Sequence, residues 1–202
     1  MSLNKKWASP EDFATLFQYF WHRDFPIDQK ATGARRADWT IHIGVVVRNI
    51  ADLMGLVTRF ERGGRKDAIL RSTEGDEIAI EWEWKDTWRK ELNKLKNHEV
   101  WSNKKDTTRP LKYGVLITYA PTEDIANVYK EVAKTWEKAK WPLLFILIDF
   151  EKFSKYTTRR KFKNIQMSVF NQNGRKELRV APALPWEVTG TRWSTEHIGL
   201  WS

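Results

Sequence analysis

Between Glu77 and Lys85 the chain reads EIAIEWEWK. Alternate residues of an extended strand point to opposite sides of a sheet, so Glu81, Glu83 and Lys85 fall on one face and Ile78, Ile80, Trp82 and Trp84 on the other. Two carboxylates and an ammonium are thereby forced into a row. Hard cations such as Mg²⁺ bind carboxylate oxygens and keep several waters, and a neighbouring lysine can orient or deprotonate one of those waters. The chemistry this pattern suggests is metal-dependent hydrolysis of a phosphodiester.

The elements that would position the row can be read from the flanking sequence. Asp67 to Arg71 reads as a short strand, Ser72 to Asp76 holds a glycine turn, and Glu77 to Asp86 is the strand just described. With the turn centred on Gly75, Asp67 lies opposite Glu83, and a slip of one residue puts it opposite Trp82 instead. Ser9-Pro10-Glu11-Asp12 combines a hydroxyl cap, a proline in the first turn and acids at the positive end of the dipole, which predicts a helix over 9–22. A loop containing Pro26, Gly33 and Arg35-Arg36 follows. The steps of three and four residues between Ile43, Val46, Val47, Ile50, Leu53, Met54 and Val57 then predict one long helix over 38–62, stopped by Gly63-Gly64.

Further along, Trp88 to His98 reads as a helix and Asn103 to Pro110 as a polar, basic loop. Tyr113 to Tyr119 is a strand, Thr122 to Lys140 a helix with acids first and lysines last, and PLLFILIDF (Pro142 to Phe150) a strand buried on both faces. Strand, helix, strand in this pattern implies a right-handed parallel crossover. A strand pair is expected around Ile165 to Phe170 and Glu177 to Val180. The fold class is therefore α/β, a mixed central sheet flanked by helices, in a single domain over 1–202 with a core of about 38–150 and a basic extension over 151–202.

The 202 residues are 41% hydrophobic, with 12 Trp and 10 Phe, too rich in large apolar side chains for a disordered chain. No apolar run is long enough to span a bilayer and MSLNKKW carries no signal core, so a soluble, cytoplasmic protein without a membrane partner is expected. There are no cysteines, which removes disulfides, thiolate zinc sites and a cysteine nucleophile. The four histidines are scattered, which argues against a zinc site. A net charge of +9 suits a polyanionic partner, and the densest basic run, Arg159, Arg160, Lys161 and Lys163, could track a phosphate backbone. His42, between Ile41 and Ile43, reads as a packed helix residue, and the tryptophans opposite the acidic row read as core.

This order of elements, with an acid on the first hairpin strand and E-x-K ending the second, resembles the PD-(D/E)XK nuclease superfamily over about Asp38 to Phe150. The resemblance implies a restriction-endonuclease-like core in which Asp67 and Glu83 hold Mg²⁺, with Mn²⁺ as a substitute, the Trp84 carbonyl is a further ligand, and Lys85 positions or activates the water. Lys66 stands where the family often has proline. An additional acid from the preceding helix would be Asp52 or Glu61, and Glu81 is an extra acid on the row. The implied activity is that of a DNA endonuclease of restriction, repair or junction-resolving type, for which a homodimer would suit cutting both strands. Three blander readings compete: a solvated strand face with charge pairing, a catalytically silent nucleic-acid-binding module of the same fold, and a basic protein that docks on an acidic partner.

Overall fold

The computed structural model describes residues 9–26, 36–62, 66–83, 87–102, 110–152 and 160–188. Helix α1, Pro10–Arg23, opens with a reciprocal cap: the Asp12 amide donates to Ser9 Oγ (3.1 Å) and the Ser9 amide donates to Asp12 Oδ2 (3.2 Å). Its Phe13, Phe17, Phe20 and Trp21 recur at helical spacing and are all buried. At ~1.5–3 kcal/mol for each large apolar side chain removed from water, that stripe anchors the helix.

Helix α2, Arg36–Leu53, ends earlier than the apolar periodicity predicts. The Leu56 amide donates to the Ala51 carbonyl (2.8 Å) and the Gly55 amide to that of Asp52 (3.1 Å), with Gly55 at φ +67. Those paired bonds and a left-handed glycine form a Schellman stop. Val57, expected in the helix, instead begins strand β1, Val57–Arg62, so the expected hairpin is a three-stranded meander with β2, Lys66–Ser72, and β3, Gly75–Glu83.

Helix α3, Trp88–Lys96, leads to β4, Tyr113–Pro121; a 3₁₀ turn and α4, Ile125–Trp136, lead to β5, Leu143–Lys152. Two long antiparallel strands follow, β6, Arg160–Asn171, and β7, Gly174–Pro182. Among the described residues these make one seven-stranded mixed sheet in the order β1-β2-β3-β4-β5-β6-β7, with β3, β4 and β5 parallel and the other pairings antiparallel. The strand pair expected near Ile165 and Glu177 is thus present but longer, and it begins within the basic run.

Helices flank both faces of the sheet. On one, Phe13, Phe17 and Trp21 of α1 and Val46, Val47 and Ile50 of α2 pack with Leu70, Ile78, Ile80, Val115, Ile117, Ile146 and Ile148. On the other, Leu92 and Leu95 of α3 and Val128, Val132 and Trp136 of α4 pack with Ala79, Leu116, Phe145 and Leu147. Leu143 to Ile148 is buried without a break because β5 sits between these layers, as its continuous apolar run implied. No helix among the described residues is long and apolar enough to cross a membrane.

The β2–β3 register decides which acids meet. Ser72 pairs with Gly75 and Arg71 with Asp76, but Leu70 pairs with Ile78, so Glu77 is an extra residue that bulges the strand. Ala68 then pairs with Ile80, which carries Asp67 opposite Glu81 rather than Glu83. The tight turn is held from outside: the Asp76 amide donates to the Trp101 carbonyl at 2.9 Å, and a β-carbon on Gly75 would lie 2.5 Å from that oxygen.

Candidate active site at the carboxyl edge of the parallel strands

Because β3, β4 and β5 run parallel, their carboxyl ends share one edge of the sheet, the edge at which open α/β sheets form ligand crevices. Antiparallel β2 and β6 begin at the same edge. Topology therefore gathers Asp67 at the start of β2, Glu81 and Glu83 at the end of β3, Thr118 and Tyr119 near the end of β4, Asp149 on β5, and Lys161 and Lys163 at the start of β6.

The tightest arrangement here joins Asp67 and Glu81. The Asp67 amide donates to Glu81 Oε2 at 3.2 Å, and Asp67 Oδ2 accepts from the Trp82 amide at 2.7 Å. Glu81 is only 1% exposed, and its Oε1 has no hydrogen-bond partner among the described residues. Burial, and then the neighbouring Asp67 carboxylate, push the Glu81 carboxyl up to about 8. Burial also raises Asp67. Glu91 and Lys94 of α3 face the pair and form an ion pair with each other. Lys66, buried beside Glu81, is lowered by its own desolvation although the Glu81 charge opposes that shift.

A buried carboxylate oxygen without a partner, next to a second carboxylate, suits a hard cation. Mg²⁺ is usually held by one or two carboxylates with waters and substrate phosphates completing its shell, so the donor set of Asp67 and Glu81 fits that ion. Among the described residues no three acidic or histidine side chains converge to cage a metal by themselves.

Glu83 is half-buried, and its backbone carbonyl accepts from Thr118 Oγ1 at 2.7 Å, which pins the end of β3 to β4. Beside it lies a cleft of about 140 Å³ that reaches Asp67. Trp39, Thr40 and Ile43 from the first turns of α2 line it, with Trp82 of β3 and Tyr119 of β4.

Other expected site residues are placed differently. Lys85, Trp84 and Arg159 lie outside the described residues. Arg160 enters β6 through its backbone, paired with Lys152. Lys161 is exposed at this edge, and Lys163 forms an ion pair with Glu151 at 3.6 Å, so this part of the basic run is strand and not loop. Asp52 is exposed and twelve residues beyond Thr40 on α2, about 18 Å along the axis, which removes it from the site. Glu61 falls across from Asp67 on β1, between the pairs Phe60↔Ala68 and Arg62↔Lys66, and takes a left-handed φ of +51. That conformation costs a non-glycine residue of order 1 kcal/mol and is often found near functional sites.

His42 is the packed residue its neighbours implied. Its ring is centred 4.8 Å from that of Trp21, with Phe25 and Trp39 close by, and burial lowers it to about 4. Asp149 is fully buried but satisfied: Thr122 Oγ1 and Gln166 Nε2 donate to it, and the Tyr129 hydroxyl donates to Gln166. That network ties α4 to the sheet. Sequence reasoning missed the cleft contributions of Trp39, Thr40 and Tyr119, since spacing says nothing about which turn of α2 meets the strand ends. The chain matches no protein-family model and no curated protein sequence.

Proposed function

We propose that this protein is a Mg²⁺-dependent nuclease of the PD-(D/E)XK type that hydrolyses phosphodiester bonds in DNA, with Mn²⁺ as a substitute metal. The observation that carries this reading is the Asp67–Glu81 pair on adjacent strands at the carboxyl edge of the parallel strands, Asp67 half-buried and Glu81 buried with one oxygen left without a partner among the described residues. The sequence of elements supports it: a helix, a meander bearing an acid on β2 and E-x-K from Glu83 onward, then α3 and a parallel β4. The positive charge of the chain and the lysines of β6 at the same edge suit a phosphate backbone.

In this reading Asp67, fixed by the Trp82 amide, is the primary metal ligand. Glu83 and Glu81 are the candidates for the second carboxylate, and the hairpin register favours Glu81 for direct approach to Asp67. The Trp84 carbonyl would complete the protein's contribution, and Lys85 would orient the attacking water. When bound, Mg²⁺ supplies charge neutralisation on the phosphate and lowers the pKa of water. The test is incubation of wild-type protein and Asp67→Ala with supercoiled plasmid and single-stranded DNA, in Mg²⁺, Mn²⁺ or chelator. Cleavage that needs both the metal and Asp67 is expected; cleavage unchanged in Asp67→Ala overturns the assignment.

A second reading is a silent nucleic-acid-binding module. It is favoured by the raised pKa of Glu81, which leaves that carboxyl largely neutral near pH 7 without a compensating cation. Such a module binds DNA with salt-sensitive affinity and cuts nothing under any metal.

A further inference from the structure

We propose that the cleft beside Asp67 and Glu83 seats a single unpaired nucleobase, so that the substrate is DNA with a single-stranded or locally opened nucleotide next to the reacting phosphate. The proposal rests on the nuclease reading for the phosphate and deepens it by naming the form of the DNA. Three features lead to it.

The first is size. At ~30 Å³ for each water in the liquid, a space of about 140 Å³ holds roughly five waters. That is the scale at which a cavity takes one flat ring.

The second is the lining. Trp82 is half-buried at the end of β3, one residue from each of the acids Glu81 and Glu83. Phe60 of β1 meets it edge-on, with ring centres 6.5 Å apart, and is itself 42% exposed. Aromatic side chains left accessible beside a backbone-binding site are what non-specific single-strand binders use, because every base has a π-face. Tyr119 and Trp39 also border the space and are held rigidly: Tyr119 stacks on Phe162, and Trp39 packs edge-on against the same ring.

The third is polarity. Asp67 and Glu83 line this cleft, and carboxylates accept hydrogen bonds from the ring and amino N–H groups of bases, the N3–H of thymine included. Trp82 packs on the α1–α2 face of the sheet while Glu81 faces α3 on the other, so a base seated against Trp82 would leave its sugar and phosphate at the strand end, beside Asp67 and Glu83.

The experiment uses the full chain in chelator, where nothing can be cut. Binding is measured by fluorescence anisotropy with a labelled oligothymidylate, an oligomer of equal length made of abasic nucleotides, and a hairpin duplex. Wild-type protein is expected to bind oligothymidylate about tenfold more tightly than the abasic strand, the size of effect that one stacked base gives. Trp82→Ala is expected to lose that preference and Trp82→Phe to keep it, with thermal melting of both variants confirming that they fold. Equal affinity of wild type for the two strands, or a preference unchanged in a folded Trp82→Ala, overturns the proposal. Adding Mg²⁺ separates the two levels. Base-dependent binding without cleavage retains the cleft assignment and discards the nuclease. Metal-dependent cleavage of duplex as readily as single strand, with no base dependence in binding, retains the nuclease and discards the cleft.

Discussion

Asp67 and Glu81 grip each other across the β2–β3 ladder, the Asp67 amide donating to Glu81 Oε2 at 3.2 Å while the Asp67 carboxylate takes the Trp82 amide at 2.7 Å. Each acid is therefore oriented by backbone groups and not by a flexible partner. The arrangement sets a half-buried carboxylate against a fully buried one, which is costly unless a proton or a cation intervenes.

A cation is expected to stabilise the folded protein measurably. In differential scanning fluorimetry at pH 8, Mg²⁺ or Mn²⁺ should raise the Tm of wild type, because an ion that binds only the native state adds RT ln(1 + [L]/Kd). Asp67→Asn should abolish that rise. An equal rise in both proteins would place the cation elsewhere.

Without metal, Glu81 sets a pH dependence of definite sign. Its folded pKa is raised to about 8 by burial and by Asp67, with Glu91 adding to the shift and Lys94 of α3 opposing it; Lys66 is the other cation beside it. A carboxyl raised in the native state contributes its full stability below its ordinary value near 4.5 and loses it as pH climbs through about 8. In chelator, Glu81→Gln should be flatter than wild type between those limits. At pH 8 it should be the more stable protein by more than ~1 kcal/mol in urea unfolding, given ~1.4 kcal/mol per pKa unit.

His42 acts at the other end of the scale. Burial among Trp21, Phe25 and Trp39 lowers it to about 4; Asp24 opposes that shift and His22 adds slightly to it. A base depressed in the native state costs stability as pH falls from its ordinary value near 6.5 through about 4, since only the unfolded chain takes the proton there. The His42 contribution should fall by ~2–3 kcal/mol across that window, partly offset above pH 4.5 by the gain from Glu81. His42→Leu should therefore gain stability relative to wild type as pH falls through the window, with a smaller loss from His22, which burial also lowers, remaining in both proteins.

Two glycines should respond unequally to alanine. Gly55 has φ +67 and open space where a β-carbon would go, so Gly55→Ala should cost about 1 kcal/mol of backbone strain. Gly75 has φ +143 and would bring its β-carbon within 2.5 Å of the Trp101 carbonyl oxygen. Gly75→Ala should therefore lose ~3 kcal/mol or more and loosen the β2–β3 turn. Comparable losses in chemical denaturation would contradict the contact.

The parts of this fold that were legible in the sequence were those with local signatures. Ser9 to Asp12 marked the start of α1, and the apolar run Leu143 to Phe150 marked a strand buried on both sides. The β1 strand was not legible, because Val57 continues the helical spacing of α2 and one glycine, Gly55, decides the break. Glu81 and Glu83 were expected in one row with Asp67 across from Glu83, but the partner of Asp67 depended on a bulge at Glu77 that no residue type announces. Lys161 and Lys163 fell outside the expected strand because charge outweighed the weak alternation around buried Phe162.

Among the described residues the spatial order of the strands repeats their order in the chain, so each strand-to-strand pairing in the sheet joins sequence neighbours. No strand has to wait for a segment synthesised much later, and closing each successive loop carries a small entropic penalty. The sheet can therefore assemble from β1 toward β7 as the polypeptide leaves the ribosome. The Asp67–Glu81 contact, made within a hairpin of the first three strands, would then form before the crossover strands β4 and β5 have been made.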